Sequence, residues 1–192
     1  MNNKVITDKI LLDSSDKSFH AFGFSYIYTK RVEKYLFYVN GIKYLGIIVP
    51  LIVGALALGY EYKYGILAIA IKIAIPFTVF QLILSVHSIV YKWDDELAYA
   101  FEAIEDYNYL YDEYKKLYFI PTVSYSGLYN KYNVLNSRLT SRENQDNKHK
   151  ITDKELRMGM RYSLREHKKA CAGCNIIPVS MKASKCDVCG NF

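Results

Sequence analysis

Four cysteines carry the clearest chemical signal in this sequence, and all of them lie in the last 22 residues. They form two CxxC pairs separated by eleven residues. Two such pairs can place four thiolates around one Zn²⁺ ion, which prefers tetrahedral soft ligands, whereas disulfides are typical of secreted chains. The predicted ligands are Cys171, Cys174, Cys186 and Cys189. Because protein would fill all four positions, we expect a small zinc ribbon with a structural, not catalytic, Zn²⁺.

The residue that follows each CxxC pair indicates the local backbone. A left-handed conformation is common there, and glycine and asparagine adopt it at the least steric cost. Asn175 follows the first pair and Gly190 follows the second. We therefore predict a positive φ at both residues.

The rest of the chain offers no recognisable catalytic set. It contains no Ser/His/Asp order, no HExxH motif and no glycine-rich phosphate loop. Asp94, Asp95 and Glu96 are consecutive, so on a helix they point in different directions and make a poor acid–base pair. We therefore expect neither enzymatic activity nor a small-molecule substrate.

A basic helix is predicted just before the cysteines. Thr152 and Glu155 have the spacing of a capping box, which marks the start of a helix. The formal net charge is +6, and the excess of positive residues lies in residues 120–192. The basic face of this helix is either solvated or contacts phosphate groups of lipid or nucleic acid. Its members are Lys154, Arg157, Arg161, Arg165 and Lys168.

Two long apolar runs in the middle of the chain must position everything else. They span residues 42–60 and 66–91, and about 20 mostly apolar residues are enough to cross a bilayer. We predict a transmembrane hairpin over residues 42–91. The alternative is a hairpin buried in a soluble core, but a 192-residue chain has little material to cover two helices that are apolar on all sides.

The second run carries a stripe of polar residues. Their spacing of 3, 4 and 3 places them on one helix face, where they either join helices or line a water-filled path. A lysine near the start of the run is either functional or extends its long side chain to the interface. The predicted pore-lining or helix-interface residues are Lys72, Thr78, Gln81, Ser85 and Ser88.

Charges beside the runs predict the orientation of the hairpin. The flanking cations are Lys30, Arg31, Lys34, Lys43 and Lys92, whereas the connecting loop offers only Lys63 beside Glu61. The positive-inside tendency then places both termini in the cytoplasm of a multi-pass protein of the cell membrane, and a reducing cytoplasm suits CxxC metal ligands. The residues suited to an interfacial aromatic belt are Tyr26, Tyr28, Tyr35 and Tyr38.

The other segments are predicted to be cytoplasmic. They are an N-terminal helical segment (1–41) that ends near Asn40-Gly41, helices over 92–143, a solvated linker over 144–151, and the basic helix with the zinc ribbon over 152–192. A heptad seam suggests that the second membrane helix continues past residue 92. This seam packs either on residues 19–40 of the same chain or on other chains in a homo-oligomeric coiled coil. Its positions are Trp93, Leu97, Ala100, Ile104, Tyr107, Tyr111, Tyr114 and Tyr118.

Two parts of the sequence resemble known families. The tail KKACAGC…SMKASKCDVCGNF, within residues 151–192, resembles small proteins of bacterial mobile elements that are described by their CxxC-x11-CxxC spacing. Residues 19–118, which include the hairpin and WDDELAYAFEAIEDYNYLYDEYKKL, resemble the SLATT group of two-transmembrane proteins. The second resemblance implies an oligomeric, membrane-perturbing effector of a bacterial defence system, regulated through its cytoplasmic helix and zinc module. The alternative is a membrane-anchored zinc ribbon that binds nucleic acid or a partner protein and forms no pore.

Overall fold

A computed structural model describes residues 3–59, 65–119 and 124–192, and within these ranges the chain forms five α-helices and no strand. The all-α prediction is therefore confirmed. The expected zinc ribbon is wrong in one respect, because the cysteine segment consists of turns without β-strands. The predicted connecting loop with Glu61 and Lys63 lies outside the described residues. The helices are α1 (Asn3–Gly59), α2 (Ile66–Val90), α3 (Trp93–Phe119), α4 (Tyr125–Asp146) and α5 (Asp153–Glu166).

The chain divides into two compact units. The bundle unit comprises Met1–Arg31 and Tyr99–Phe192, and the hairpin unit comprises Val32–Ala98. Both α1 and α3 therefore contribute residues to each unit. The predicted break at Asn40-Gly41 is absent, since α1 continues through it. A glycine inside a helix costs only about 1 kcal/mol, which the rest of a long helix readily offsets.

The core of the bundle unit lies between α1 and α3. The ring of Tyr107 stacks on Phe24 at 5.0 Å and on Tyr28 at 5.9 Å between centroids, so α3 packs on α1 of the same chain. This arrangement matches the intrachain alternative for the seam. Three of the eight predicted seam residues are buried, at three further positions the preceding residue is buried instead, and the first two, Trp93 and Leu97, are half-buried. The buried residues of α3 are Ala100, Ala103, Tyr107, Leu110, Tyr114 and Leu117.

A buried polar network joins the end of α4 to α3, and it includes one residue of the segment predicted to be a solvated linker. Arg142 is only 1% exposed, and its Nε donates to Asp146 at 3.1 Å. Asp146 also accepts from the hydroxyls of Tyr99 and Tyr107, each at 2.5 Å. Burial, together with the Asp146 carboxylate, raises the pKa of Tyr107 above the usual range, so this phenol remains a donor. Asp146 is the one buried residue of 144–151, and the linker prediction missed it because it considered only apolar burial.

A second polar contact holds the end of the predicted linker. The guanidinium of Arg31 donates to the carbonyl of His149 at 3.0 Å and to the carbonyl of Lys150 at 3.1 Å. The same group forms a two-bond ion pair with Glu155, with N–O distances of 2.7 and 3.0 Å. Glu155 also completes the predicted capping box with Thr152, which is confirmed. Arg31 thus fixes the start of α5 against α1.

The hairpin unit pairs the second half of α1 with α2. Gly46 lies against the amide of Gln81, because an added Cβ would be 2.8 Å from its Nε2. Further along, α1 residues 49–53 and α2 residues 71–79 line one apolar groove, so the two helices run antiparallel. The predicted continuation of α2 into α3 is interrupted at Lys92, whose φ is 51°. Trp93 then begins α3 and stacks on Tyr38 at 4.8 Å.

The apolar side chains of the hairpin unit mostly face outward. Both α1 and α2 contain stretches that are long and apolar enough to cross a membrane. None of the 20 residues of the α2 stretch, Ile71–Val90, is buried. The core helix of a soluble protein is mostly buried, and the exposure of α2 differs from that pattern.

Candidate metal centre

The four cysteines converge on one point of the bundle unit. Their sulfurs all lie within 4.8 Å of one another, and all four are free thiols. The sulfurs of Cys171 and Cys186 are 3.9 Å apart, as are those of Cys174 and Cys189. In a tetrahedral zinc site with Zn–S bonds of about 2.3 Å, neighbouring sulfurs are about 3.8 Å apart. The thiols are therefore positioned to bind one metal ion.

The two CxxC pairs have the same backbone geometry. The amide of Gly173 donates to the sulfur of Cys171 at 3.4 Å, and the amide of Val188 donates to that of Cys186 at the same distance. Each turn is also closed by a backbone hydrogen bond of 2.8 Å. The amide of residue 175 donates to the carbonyl of residue 171, and the amide of residue 190 donates to the carbonyl of residue 186. Amide donors aimed at sulfur stabilise thiolates, which are the form that binds metal.

The backbone predictions after the CxxC pairs are half correct. Asn175 has a φ of 56°, as predicted, but the left-handed residue after the second pair is Asn191, with a φ of 54°, and not Gly190. Gly190 is required for a different reason. A Cβ at this position would lie 2.4 Å from the carbonyl oxygen of Ser184, so only glycine permits this close approach.

The acidity of the thiols differs between the two cysteines of the second pair. Hydrogen bonds from the amides of Cys189 and Val188 lower the pKa of Cys186 to about 7. Burial and the neighbouring thiols raise the pKa of Cys189 above its ordinary value. A metal that takes all four sulfurs as thiolates must therefore displace protons, so its affinity will rise with pH.

Helices α1 and α5 position the metal centre. Phe19 and Leu164 pack against Cys171 and Cys189 in one buried cluster. The hydroxyl of Ser163 donates to the backbone carbonyl of Phe19 at 2.9 Å, and this bond is buried. The sequence interpretation missed Phe19, because it assigned residues 1–41 to a helical segment separate from the metal module.

A pair of glycines lets these two helices approach closely. An added Cβ on Gly159 would lie 2.8 Å from the carbonyl of Gly23, and one on Gly23 would lie 3.0 Å from the carbonyl of Gly159. Tyr26, assigned to the interfacial belt, instead stacks on Tyr162 of α5 at 3.8 Å. Tyr28 is fully buried in the bundle core. Two of the four predicted belt residues therefore pack inside the bundle unit.

The predicted basic face does not form a single free surface. Arg157 donates to the carbonyls of Asp187 at 2.9 Å and Asn191 at 3.3 Å, and thereby holds the second CxxC segment. Arg161 donates to the carbonyls of Ser180 at 2.8 Å and Cys189 at 3.2 Å. Arg165 forms an ion pair with Glu166. The two lysines of the set, Lys154 and Lys168, are exposed.

Part of the predicted polar stripe of α2 faces α1 within the hairpin unit. Gln81 contacts α1 at Gly46, and Thr78 lines the groove between the helices while its hydroxyl donates to the carbonyl of Ala74 at 2.9 Å. Ser85 and Ser88 are half-buried, whereas Lys72 is exposed. Gln81 and Thr78 therefore lie where α2 meets α1, and Lys72 does not.

Comparison with known proteins identifies the family. The model of a family described as "Mobilome CxxCx(11)CxxC protein" matches residues 13–192. No curated protein sequence and no solved structure matches the chain. The chain therefore belongs to the mobilome CxxCx(11)CxxC family, which is a family of mobile-element proteins with a four-cysteine module.

Proposed function

We propose that this mobilome protein is a two-span protein of the bacterial cell membrane, in which the hairpin anchors a zinc-stabilised helical module. The observation that carries the proposal is the apolar, outward-facing surface of α2. Phe80 and Ile83 are 54% and 61% exposed there, and they belong to a contiguous apolar surface. Water would oppose such a surface by about 25 cal/mol per Å², whereas lipid accommodates it. The closed set of metal ligands supports a structural role without catalysis.

Zinc is the metal that the ligand set favours. Four thiolates in tetrahedral array suit Zn²⁺, and iron–sulfur clusters use the same ligand type. The 3.9 Å sulfur pairs leave room for one ion. The flanking cations, such as Lys34 and Lys43, favour a topology with both termini in the cytoplasm, where thiols stay reduced.

A second candidate function is that of an oligomeric membrane-perturbing effector, as the resemblance to SLATT proteins implies. Lys72 favours it, because this cation is exposed on an otherwise apolar face of α2. Charges within membrane segments often mark an ion path or a contact between subunits. The position of Gln81 between the two helices of one hairpin favours the anchor instead. The exposed Lys154 and Lys168 are available to contact a partner protein or nucleic acid.

One purification tests the anchor and the metal together. We expect the protein to sediment with membranes, to need detergent for extraction, and to contain about one zinc per chain. Recovery in the soluble fraction without detergent would contradict the membrane placement. A zinc content well below one per chain, with another metal present, would contradict the metal assignment alone.

Membrane potential separates the two candidate functions. Controlled expression of an effector should depolarise cells, and Lys72→Leu should abolish the effect, while Ile73→Leu on the same helix serves as the matched control. An anchor should leave the potential unchanged for all three chains. Mass measurement of the detergent complex would then show whether the protein forms a homo-oligomer.

A further inference from the structure

We propose that Arg161 is a positioning residue of the metal centre, which supplies positive charge and a hydrogen bond to the sulfur of Cys189. The inference rests on the proposed four-thiolate zinc site and adds a role for a residue outside the ligand set. Among the residues that the structure describes, three arginines lie at successive turns of α5: Arg157, Arg161 and Arg165. Their different surroundings provide the argument.

Arg161 reaches one of the metal ligands directly. Its Nη1 lies 3.9 Å from the sulfur of Cys189, 3.2 Å from the carbonyl of the same residue and 3.3 Å from the hydroxyl of Ser184. Its Nε donates to the carbonyl of Ser180 at 2.8 Å. These four contacts hold the half-buried guanidinium against the second CxxC turn, whose Cys189 is only 1% exposed.

The charge of Arg161 is not neutralised by a carboxylate in these contacts. All four of its acceptors are carbonyl, hydroxyl or sulfur atoms. A zinc ion with four thiolates carries a net charge of about −2, because four anionic ligands surround one dication. An anionic centre in contact with a guanidinium that has no carboxylate among these acceptors is a favourable pair, and the attraction is strongest at the buried Cys189.

The other two arginines of α5 offer built-in comparisons. Arg157 also donates to carbonyls, those of Asp187 and Asn191, but it has no sulfur among its hydrogen-bond acceptors. Arg165 is paired with Glu166, so its charge is compensated locally. Substituting each arginine therefore separates loss of the sulfur contact from loss of loop support and from loss of a surface charge.

A donor and positive charge beside a ligating thiolate should slow the loss of metal and the attack of electrophiles on the sulfur. Groups that orient or polarise metal ligands from outside the ligand set typically change metal affinity by 10- to 100-fold. The contact should also alter the electronic state of the metal–sulfur bonds. This electronic effect distinguishes positioning at the metal from general support of the fold.

The experiment compares the full chain in detergent with Arg161→Gln, Arg161→Lys, Arg157→Gln and Arg165→Gln. One readout is the rate at which zinc passes to a chelator. The other is the energy of the sulfur-to-metal absorption band after replacement of zinc by Co²⁺. We expect Arg161→Gln to speed zinc release about 10-fold and to shift the band. Arg161→Lys, which keeps the charge, should restore part of both, and Arg165→Gln should match the unsubstituted chain.

Equal release rates and identical bands for Arg161→Gln and Arg165→Gln would overturn the proposal. A faster release with an unchanged Co²⁺ band would also overturn it, because support of the loop alone would then explain the result. If Arg161→Gln does not fold, the band and release rate of Arg161→Lys decide in the same way. Failure of the unsubstituted chain to bind metal would instead refute the zinc site itself.

Discussion

The bundle unit and the hairpin unit share α1 and α3, yet they differ in the polar groups that they bury and the apolar groups that they expose. In the bundle unit, Arg142 and Asp146 lie inside the fold and are held by hydrogen bonds and ion pairs. In the hairpin unit, side chains such as Ile83 and Val86 are 61% exposed. A fold in water must satisfy its buried polar groups, whereas a fold in lipid can leave apolar side chains uncovered. This difference supports the proposal that the hairpin unit lies in lipid and the bundle unit in water.

The largest expected effect comes from removing a metal ligand. Cys189→Ser should abolish stoichiometric zinc binding and unfold the segment after α5, while membrane association persists. Zinc binding stabilises small metal modules by about 10–16 kcal/mol. Metal analysis and proteolysis of the C-terminal segment provide the measurement. Ala172→Ser, which adds a serine to the first turn without removing a ligand, should bind zinc normally. Loss of membrane association would contradict the independence of the two units.

The next effect concerns the buried network of the bundle. Asp146→Ala removes the acceptor that Arg142 Nε shares with two tyrosine hydroxyls, while two carboxylates of α3 still pair the guanidinium. Each buried donor left without a partner costs about 1–3 kcal/mol. Denaturant unfolding monitored by near-ultraviolet circular dichroism should show the loss. Glu143→Ala, at an exposed position of the same helix, should change stability by about 0.5 kcal/mol or less. Equal effects of both substitutions would remove the distinction between the buried and exposed faces of α4.

A lysine scan of one residue in each unit tests the two-solvent comparison directly. Ile83→Lys should reduce membrane insertion, since a lysine near the centre of a membrane helix costs about 2.5–3.5 kcal/mol. Val134→Lys, in the bundle unit, replaces a residue that is 67% exposed and should have little effect. An insertion assay or membrane fractionation measures both. Equal tolerance of the two lysines would show that α2 faces water.

A smaller effect is expected where helices approach closely. Gly159→Ala places a Cβ 2.8 Å from the carbonyl of Gly23, and overpacking of this kind costs about 1–3 kcal/mol. Gly41→Ala is the matched control, because an added Cβ there meets nothing within 4 Å. It should be neutral or stabilise α1 by up to about 1 kcal/mol. Thermal unfolding shows whether each substitution raises or lowers the stability. Destabilisation by both would indicate that the two glycines have similar surroundings.

The smallest effect is a pH dependence at the contact of α1 with α5. Burial would raise the pKa of Glu155, but hydrogen bonds from Arg31 and Thr152 dominate and lower it. A carboxyl whose folded pKa lies below its unfolded value adds stability above about pH 4.3, and this stability is lost as the pH falls through the folded pKa. We expect this contribution to the free energy of unfolding to be about 1 kcal/mol. The difference in melting temperature between the unsubstituted chain and Glu155→Gln should therefore narrow as the pH drops from 6 to 3. A constant difference would contradict the ion pair.

Features that depend on residues close in the sequence were predictable. The spacing of the cysteines predicts the metal ligands, since a CxxC turn brings two sulfurs together locally. The positions of Thr152 and Glu155 predict the start of α5. The length and composition of α2 predict an apolar helix without any knowledge of its neighbours. Each inference needs only a few adjacent residues or one helix.

Features that depend on distant partners were decided by the tertiary structure. Residues 144–150 of the predicted linker include no apolar residue, so nothing in their composition reveals that Asp146 accepts a hydrogen bond from Tyr107 of α3. The arginines of α5 look like a phosphate-binding face until Arg161 is seen beside Cys189.

The sequence by itself determined the chemistry of this protein: four thiols for one metal, and two helices apolar enough for lipid. The tertiary structure decided which groups support that chemistry, such as Phe19 beneath the cysteines and Gln81 between the helices. The physical reason is the range of the interactions. Ligand spacing and hydrophobicity are properties of short segments, whereas a hydrogen bond such as that from Ser163 to Phe19 joins residues that only folding brings together.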